Sequence, residues 1–267
     1  MPVTGYESDG VPVVSYCLTD FSGRVIAERE PDRTFYAAST VKLGVLIAAM
    51  RAVDDGRLDL DQLLTVRHTF RSMAPSGEEF GMDADEIDVG MPPAGSRLCL
   101  RDVLWRMVAV SSNEATNMTV ELVGFPAIAE AFALCGARSA KMERFICDGP
   151  ARDHGLTHLM TARDLAAIVR TIVTGAAASE ASTAEMLRML EDQQFDYLAR
   201  GLPAGIRSGS KSGWVAGIQH DGGYVSPSGH LDADENYVLA VCTRGYAEPD
   251  ATEMLAAMSR FAYQLQK

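Results

Sequence analysis

Apolar and polar positions along this 267-residue chain fall into three textures. Near the start, Val11 to Leu18 is rich in β-branched and aromatic residues, Ser22-Gly23 supplies a turn, and Val25 to Glu28 continues the pattern. Two strands joined as a hairpin are expected there. In the middle, Leu43 to Met50 is apolar nearly all round, which predicts a buried helix rather than an amphipathic one. Arg101 to Val110, Glu114 to Val123 and Phe125 to Leu134 each carry helical periodicity, separated by short breaks. Thr161-Ala162-Arg163-Asp164 resembles a capping box and opens a further helix, and Ser182 to Gln194 reads as another. Toward the end, Lys211 to Ile218, Gly223 to Ser226 and Tyr237 to Thr243 read as strands, followed by a closing helix from Thr252 to Leu265.

Strands at both ends with helices between them predict an α/β (α+β) fold. Its sheet is built from both termini and packed with helices around an all-helical insert. The expected division is a discontinuous unit of residues 1–38 and 200–267 and a helical unit of residues 39–199. Two stretches lack periodicity, Arg71 to Ser96 and Gly136 to His158. Long irregular connections of this kind often form functional rims.

Composition narrows the function classes. A net charge of -12 argues against a nucleic-acid or anionic-membrane surface, because phosphate binding needs local positive charge. It leaves room for a small-molecule substrate in a locally basic pocket. The five cysteines are scattered, with no Cys-x-x-Cys pair, so neither a metal centre nor a disulfide framework is expected. His154 and His158 imitate a metal pair, but Gly155 and the loop-like context argue against zinc. Neither a cofactor nor a metal is implied. Met1 to Gly5 shows no secretory leader, so the sequence as it stands suggests a cytoplasmic protein, or a periplasmic or secreted one whose leader was removed.

Three polar clusters stand out. Ser39-Thr40-Val41-Lys42 places a hydroxyl and an amine one helical turn apart. Alone this spacing says little, since roughly one Ser-x-x-Lys is expected by chance in a chain of this size. Ser111-Ser112-Asn113 falls in the break between two predicted helices, and Lys211-Ser212-Gly213 begins a strand. Together they hold the parts of an acyl-transfer site. Ser39 would be the nucleophile, Lys42 its base, Ser111 a proton relay and Asn113 a contact for a substrate amide. Lys211 would add positive field, and the backbone N–H groups of Ser39 and Trp214 would form an oxyanion hole.

The ordered set Ser-x-x-Lys, Ser-x-Asn, Lys-Ser-Gly resembles the motifs of active-site serine β-lactamases and penicillin-binding proteins. Tyr36 to Leu43 and Ser111 to Asn117 are similar to the corresponding segments of the class A branch. The resemblance covers the chain from about Val13 onward. It implies an antiparallel sheet flanked by helices, an acyl-enzyme mechanism and a β-lactam, peptide-like or ester substrate. It also implies substrate contacts from Ser212, Gly213, Trp214, His220 and Arg244, with Lys211 and His220 anchoring a substrate carboxylate and Arg244 a second candidate for it.

The departures from that pattern are informative. Where class A enzymes carry the Ω-loop glutamate that activates the deacylating water, this chain has Ile146, after Lys141-Met142-Glu143-Arg144-Phe145. Asp148 is the nearest replacement acid, with Glu143 and Asp153 behind it. The middle residue of the second motif is Ser112 instead of aspartate. Slow or atypical deacylation is therefore expected. A peptidase, esterase or amidase, including a glutaminase-like one, stays open beside a β-lactamase, as does a non-turnover β-lactam sensor.

Overall fold

The computed structural model describes residues 4–5, 7–84 and 86–266. Met1 to Val3, at the start of the predicted terminal unit, lie outside the described residues. The main sheet has five antiparallel strands, β1 (Val13–Asp20), β2 (Val25–Arg29), β3 (Arg207–Val215), β4 (Ile218–Ser226) and β5 (Tyr237–Arg244). They are ordered β3-β4-β5-β1-β2, so the two ends of the chain meet at the pairing of β5 with β1. Strand β4 is buried along its whole length, as a strand covered on both faces must be.

The helices are α1 (Lys42–Asp54), α2 (Leu100–Ala109), α3 (Asn113–Leu134), α4 (Gly149–Asp153), α5 (Ala162–Val173), α6 (Glu180–Glu191) and α7 (Glu248–Leu265). One apolar core joins β4, β5 and β1 to α1, α2, α3, α5 and α6. A second core, with Leu18, Leu198, Leu239, Val241 and Leu255, lies under α7. Helix α5, which the expected division assigns to the helical unit, packs on the sheet. Its cap is the predicted one: the Thr161 hydroxyl accepts the Asp164 N–H at 3.0 Å. The reciprocal bond of a capping box is replaced, because Asp164 accepts the Ser139 N–H at 3.0 Å instead.

Helix α1 is buried from Lys42 to Met50, as its all-apolar sequence requires. Its neighbour α3 comes against Gly44, where a side chain would meet the Phe132 ring. Helix α3 combines the two predicted segments across a break at Gly124, whose φ of 76° is open to glycine without strain. Pro126 follows near the first turn of the second segment, where a missing N–H costs nothing. The strand read as Lys211 to Ile218 is in fact interrupted. Gly217, with φ 75°, turns the chain between Val215 and Ile218, so that β3 and β4 form a hairpin.

The long irregular connection contains a small hairpin, Thr69–Arg71 with Glu79–Gly81. Its Phe70 and Phe80 pack 6.2 Å and 6.3 Å from the Phe145 ring, and Phe125 lies 5.4 Å from it edge-on. That aromatic cluster anchors the segment before Ile146.

Candidate active site

The start of α1, the break between α2 and α3, the end of β3 and the segment around Ile146 surround one cleft of about 1100 Å³. Ser39 lines it from the 3-10 turn Ala38–Val41, which runs directly into α1. Strand β3 comes against this turn at Gly213. A Cβ there would lie 2.6 Å from the Ser39 nitrogen and 2.8 Å from that of Thr40, so no larger residue fits. This approach sets the backbone of Gly213 and Trp214 beside the Ser39 amide, the juxtaposition an oxyanion hole requires.

Lys42, one turn on, is fully buried. Its Nζ donates to Ser111 O at 2.6 Å, to Asn113 Oδ1 at 2.9 Å and to Ser111 Oγ at 3.2 Å. Those partners, not Ser39, hold it in this structure. Lys211, also fully buried, reaches the same hydroxyl from the opposite side, Nζ to Ser111 Oγ 3.1 Å, and donates to Ser212 O at 2.8 Å. Ser111 is thus wedged between two amines. It adopts φ 58°, a conformation that costs a non-glycine residue of order 1 kcal/mol. Ala38 and Cys147 share this left-handed backbone, next to Ser39 and Ile146 respectively.

Burial disfavours both ammonium forms. It pushes Lys42 down to about 7, against the pull of Cys147, Glu114 and Asp88. It pushes Lys211 well below its ordinary range, with the Lys42 charge adding to the effect. An amine that is neutral near pH 7 can take a proton from a hydroxyl, which an ordinary lysine cannot.

Ser112, the departure in the second motif, caps α3. Its Oγ accepts the Ala115 N–H at 3.2 Å and donates to Glu114 at 3.1 Å. Asn113 lines the cleft, and its Nδ2 donates to Glu86 O at 3.2 Å. Trp214 also lines the cleft, and its ring lies 4.8 Å from that of Phe195. Ile146 occupies the cleft wall where the resemblance puts an acid.

His220, Arg244 and Ser212 stand outside that lining, and a fourth expected site residue, Asp148, lines the cleft with its carboxylate engaged by the scaffold. His220 is fully buried, its Nε2 donating to Tyr36 O at 2.9 Å and its Nδ1 accepting the Thr243 N–H at 3.2 Å. Burial brings it to about 4, so it is a neutral strut rather than a carboxylate anchor. Arg244 pairs with Asp9 at 3.1 Å and lies outside the cleft lining. Asp148 is the N-cap of α4. Its carboxylate accepts from Ser72 Oγ at 2.6 Å, Met73 N at 2.9 Å and Ala151 N at 3.0 Å, which ties it into the scaffold. Strand alternation turns Ser212 to the face opposite Lys211 and Gly213, where it is fully buried outside the lining.

Other residues join the site that the sequence reading gave no role. Asn117 bonds the backbone of Ile146 on both sides, and Cys147 lies 3.7 Å from Asn113 Nδ2, its thiol pushed up by burial. Asn117 stands four residues after Asn113, one turn along the same helix face, which was a usable signal. Cys147 is betrayed only by its place after Ile146. Glu114 and Arg106 support residues 86–90 through Asp88, whose N–H donates to Glu114 at 3.2 Å and whose carboxylate pairs with Arg106 at 3.0 Å.

Comparison with known proteins places this arrangement. Residues 6–266 match the beta-lactamase enzyme family. A beta-lactamase from Sphaerobacter thermophilus DSM 20745 is 30% identical and superposes with a TM-score of 0.78, covering 96% of this chain and 91% of its own. PBP-A is 26% identical with a TM-score of 0.75, covering 95% and 89%, and a mutant of it has been solved as an acyl-enzyme complex with penicillin G. No curated protein matches the chain.

Proposed function

The chain belongs to the beta-lactamase enzyme family and is a serine hydrolase, and on that premise we propose that it acylates Ser39 with a β-lactam or a related ester or amide and deacylates slowly. In the first half-reaction the Ser39 hydroxyl oxygen attacks the substrate carbonyl while its proton passes to the neutral Lys42 amine. Hydrogen bonds of this kind often tighten only once substrate is bound, so a base that rests on Ser111 and Asn113 can still serve Ser39. The tetrahedral oxyanion takes hydrogen bonds from the Ser39 and Trp214 N–H groups. When the carbon–nitrogen or carbon–oxygen bond breaks, the leaving group receives a proton through Ser111, and Lys42 resupplies it. Lys211 orients Ser111 from the other side.

The observation that carries this reading is the Ser111 hydroxyl held between Lys42 at 3.2 Å and Lys211 at 3.1 Å. In the second half-reaction a water must lose a proton as it attacks the acyl carbonyl. The family's acid for that step is replaced by Ile146. A long-lived acyl-enzyme, useful to a sensor or a slow hydrolase, follows from that one side chain. Mass spectrometry after a brief penicillin pulse tests both halves. An adduct on Ser39 that persists for minutes is expected, and no adduct on Ser39 would overturn the reading for β-lactams.

A further inference from the structure

We propose that Glu86, on the rim of the Ser39 cleft, is the carboxylate that takes the proton of the deacylating water, so that the acyl-enzyme turns over slowly instead of standing as a dead end. This rests on the serine hydrolase reading above and completes its second half-reaction.

The chemistry sets what is missing. Near neutral pH, hydrolysis of an acyl-serine gives a carboxylate, a free serine hydroxyl and one proton released to solvent. As the water oxygen bonds to the carbonyl carbon, its first proton must leave. When the bond from that carbon to Ser39 Oγ breaks, the second proton passes through Lys42 to Ser39, and the product departs as a carboxylate. With Lys42 committed to Ser39, the first proton needs another acceptor, one in contact with solvent.

Among the described residues, the cleft is lined by the carboxylates of Glu7, Asp83, Glu86, Asp88 and Asp148. Asp148 is held by three donors, Asp88 pairs with Arg106 at 3.0 Å, and Glu7 faces the guanidinium groups of Arg144 and Arg152. Glu86 is tied to the catalytic cluster at two points. Its carbonyl accepts from Asn113 Nδ2 at 3.2 Å, and its carboxylate accepts a hydrogen bond from the Cys147 thiol. Cys147 directly follows Ile146, lies 3.7 Å from Asn113 Nδ2 and acts on Lys42 more strongly than Glu114 or Asp88 does. One thiol thus stands between the Glu86 carboxylate and the amine that serves Ser39. Glu86 is also exposed, so a proton it collects passes on to water. Its Oε2 accepts the Asp83 N–H at 3.3 Å, a neutral donor that steadies the side chain. Contact with the attacking water is made once the acyl group is seated, as catalytic hydrogen bonds often tighten only then. A base working across the cleft serves less well than one mounted at 146, in keeping with slow turnover.

The test is the lifetime of the Ser39 adduct after a penicillin pulse, read by timed mass spectrometry of the intact protein beside the acylation rate. Glu86→Gln should lengthen the lifetime about tenfold or more, while acylation stays within about threefold and so reports an intact site. Asp83→Asn, which removes a neighbouring charge, should leave the lifetime within about twofold. Formate should restore turnover to Glu86→Ala and leave the unsubstituted protein unchanged, a rescue that a merely structural role would not give. Once Ile146→Glu supplies an acid, adding Glu86→Gln should cost less than about twofold, because the two carboxylates serve the same water. An unchanged lifetime in Glu86→Gln, or no rescue of Glu86→Ala by formate, would overturn this proposal and leave the acylation of Ser39 standing. An adduct that forms on the unsubstituted protein and does not decay within a day would do the same. No adduct on Ser39 at all would overturn both.

Discussion

Asn117 grips Ile146 from both sides: its Nδ2 donates to Ile146 O at 3.0 Å, and its Oδ1 accepts the Ile146 N–H at 2.8 Å. The backbone at 146 is thereby fixed against the Ser39 cleft while its side chain offers no acceptor for a water proton.

A carboxylate restored at this fixed position should therefore find its geometry ready-made. Ile146→Glu is expected to shorten the lifetime of a penicillin acyl-enzyme by about a hundredfold, within the range that a positioned general base supplies. Ile146→Gln, of the same size and unable to take a proton, should not. Stopped-flow acylation followed by timed mass spectrometry measures both.

The pH profile of acylation should follow Lys42. Its amine is brought to about 7 mainly by burial, so the protonated form dominates below that pH and cannot act as a base. The acylation rate constant should rise as pH increases through about 7 and level off above it. No step from His220 is expected between pH 5 and 8, because burial holds it near 4. Lys42→Met should lower the rate at least a thousandfold and remove the step. Retention of the step in that variant would assign it elsewhere.

Gly213→Ala tests the close approach of β3 to the nucleophile turn. The added methyl would lie 2.6 Å from the Ser39 nitrogen, a backbone atom with no room to yield. Overpacking of this kind costs about 1–3 kcal/mol, and here the displacement falls on the two N–H groups aimed at the oxyanion. Thermal unfolding should register a modest loss, whereas the rate of Ser39 labelling should drop at least a hundredfold.

Asp148 separates a structural acid from a catalytic one. Asp148→Ala removes an N-cap and two further bonds to residues 72 and 73, so a loss of about 1–3 kcal/mol in urea unfolding is expected. The ratio of deacylation to acylation rates should not change. A selective fall in deacylation would restore Asp148 to the chemistry.

Much of this was legible in the sequence because three motifs must share one site to make chemical sense. Their order alone pointed to Ser39, Lys42, Ser111 and Lys211 as one cluster, and the structure shows Lys42 and Lys211 each donating a hydrogen bond to the Ser111 hydroxyl. The break at Gly124 and the cap at Thr161 were readable because each rests on local backbone chemistry. The residues that the structure engages in other contacts have a common cause. His220, Ser212, Arg244 and Asp148 were placed by chain position, but their roles depend on which face of a strand they take and which neighbour reaches them first. His220 sits on a strand covered on both sides, so its imidazole met Tyr36 and Thr243 before any ligand could. Asp148 was claimed by the loop at Ser72, more than seventy residues away in the chain. Periodicity does not see such long-range partners.

Ala38, Ser111 and Cys147 each hold a left-handed backbone without being glycine, and each adjoins a residue that shapes the cleft. Replacing any of them by glycine or asparagine would relax the fold locally. A library of variants selected for heat resistance alone should therefore drift at these three positions toward residues that accept the turn easily. At 111 that drift would remove the hydroxyl shared by Lys42 and Lys211. Glu30, the other left-handed non-glycine residue described, lies away from the cleft, so three of these four routes to a hardier protein run through the cleft and screens for stability and for turnover must be run together.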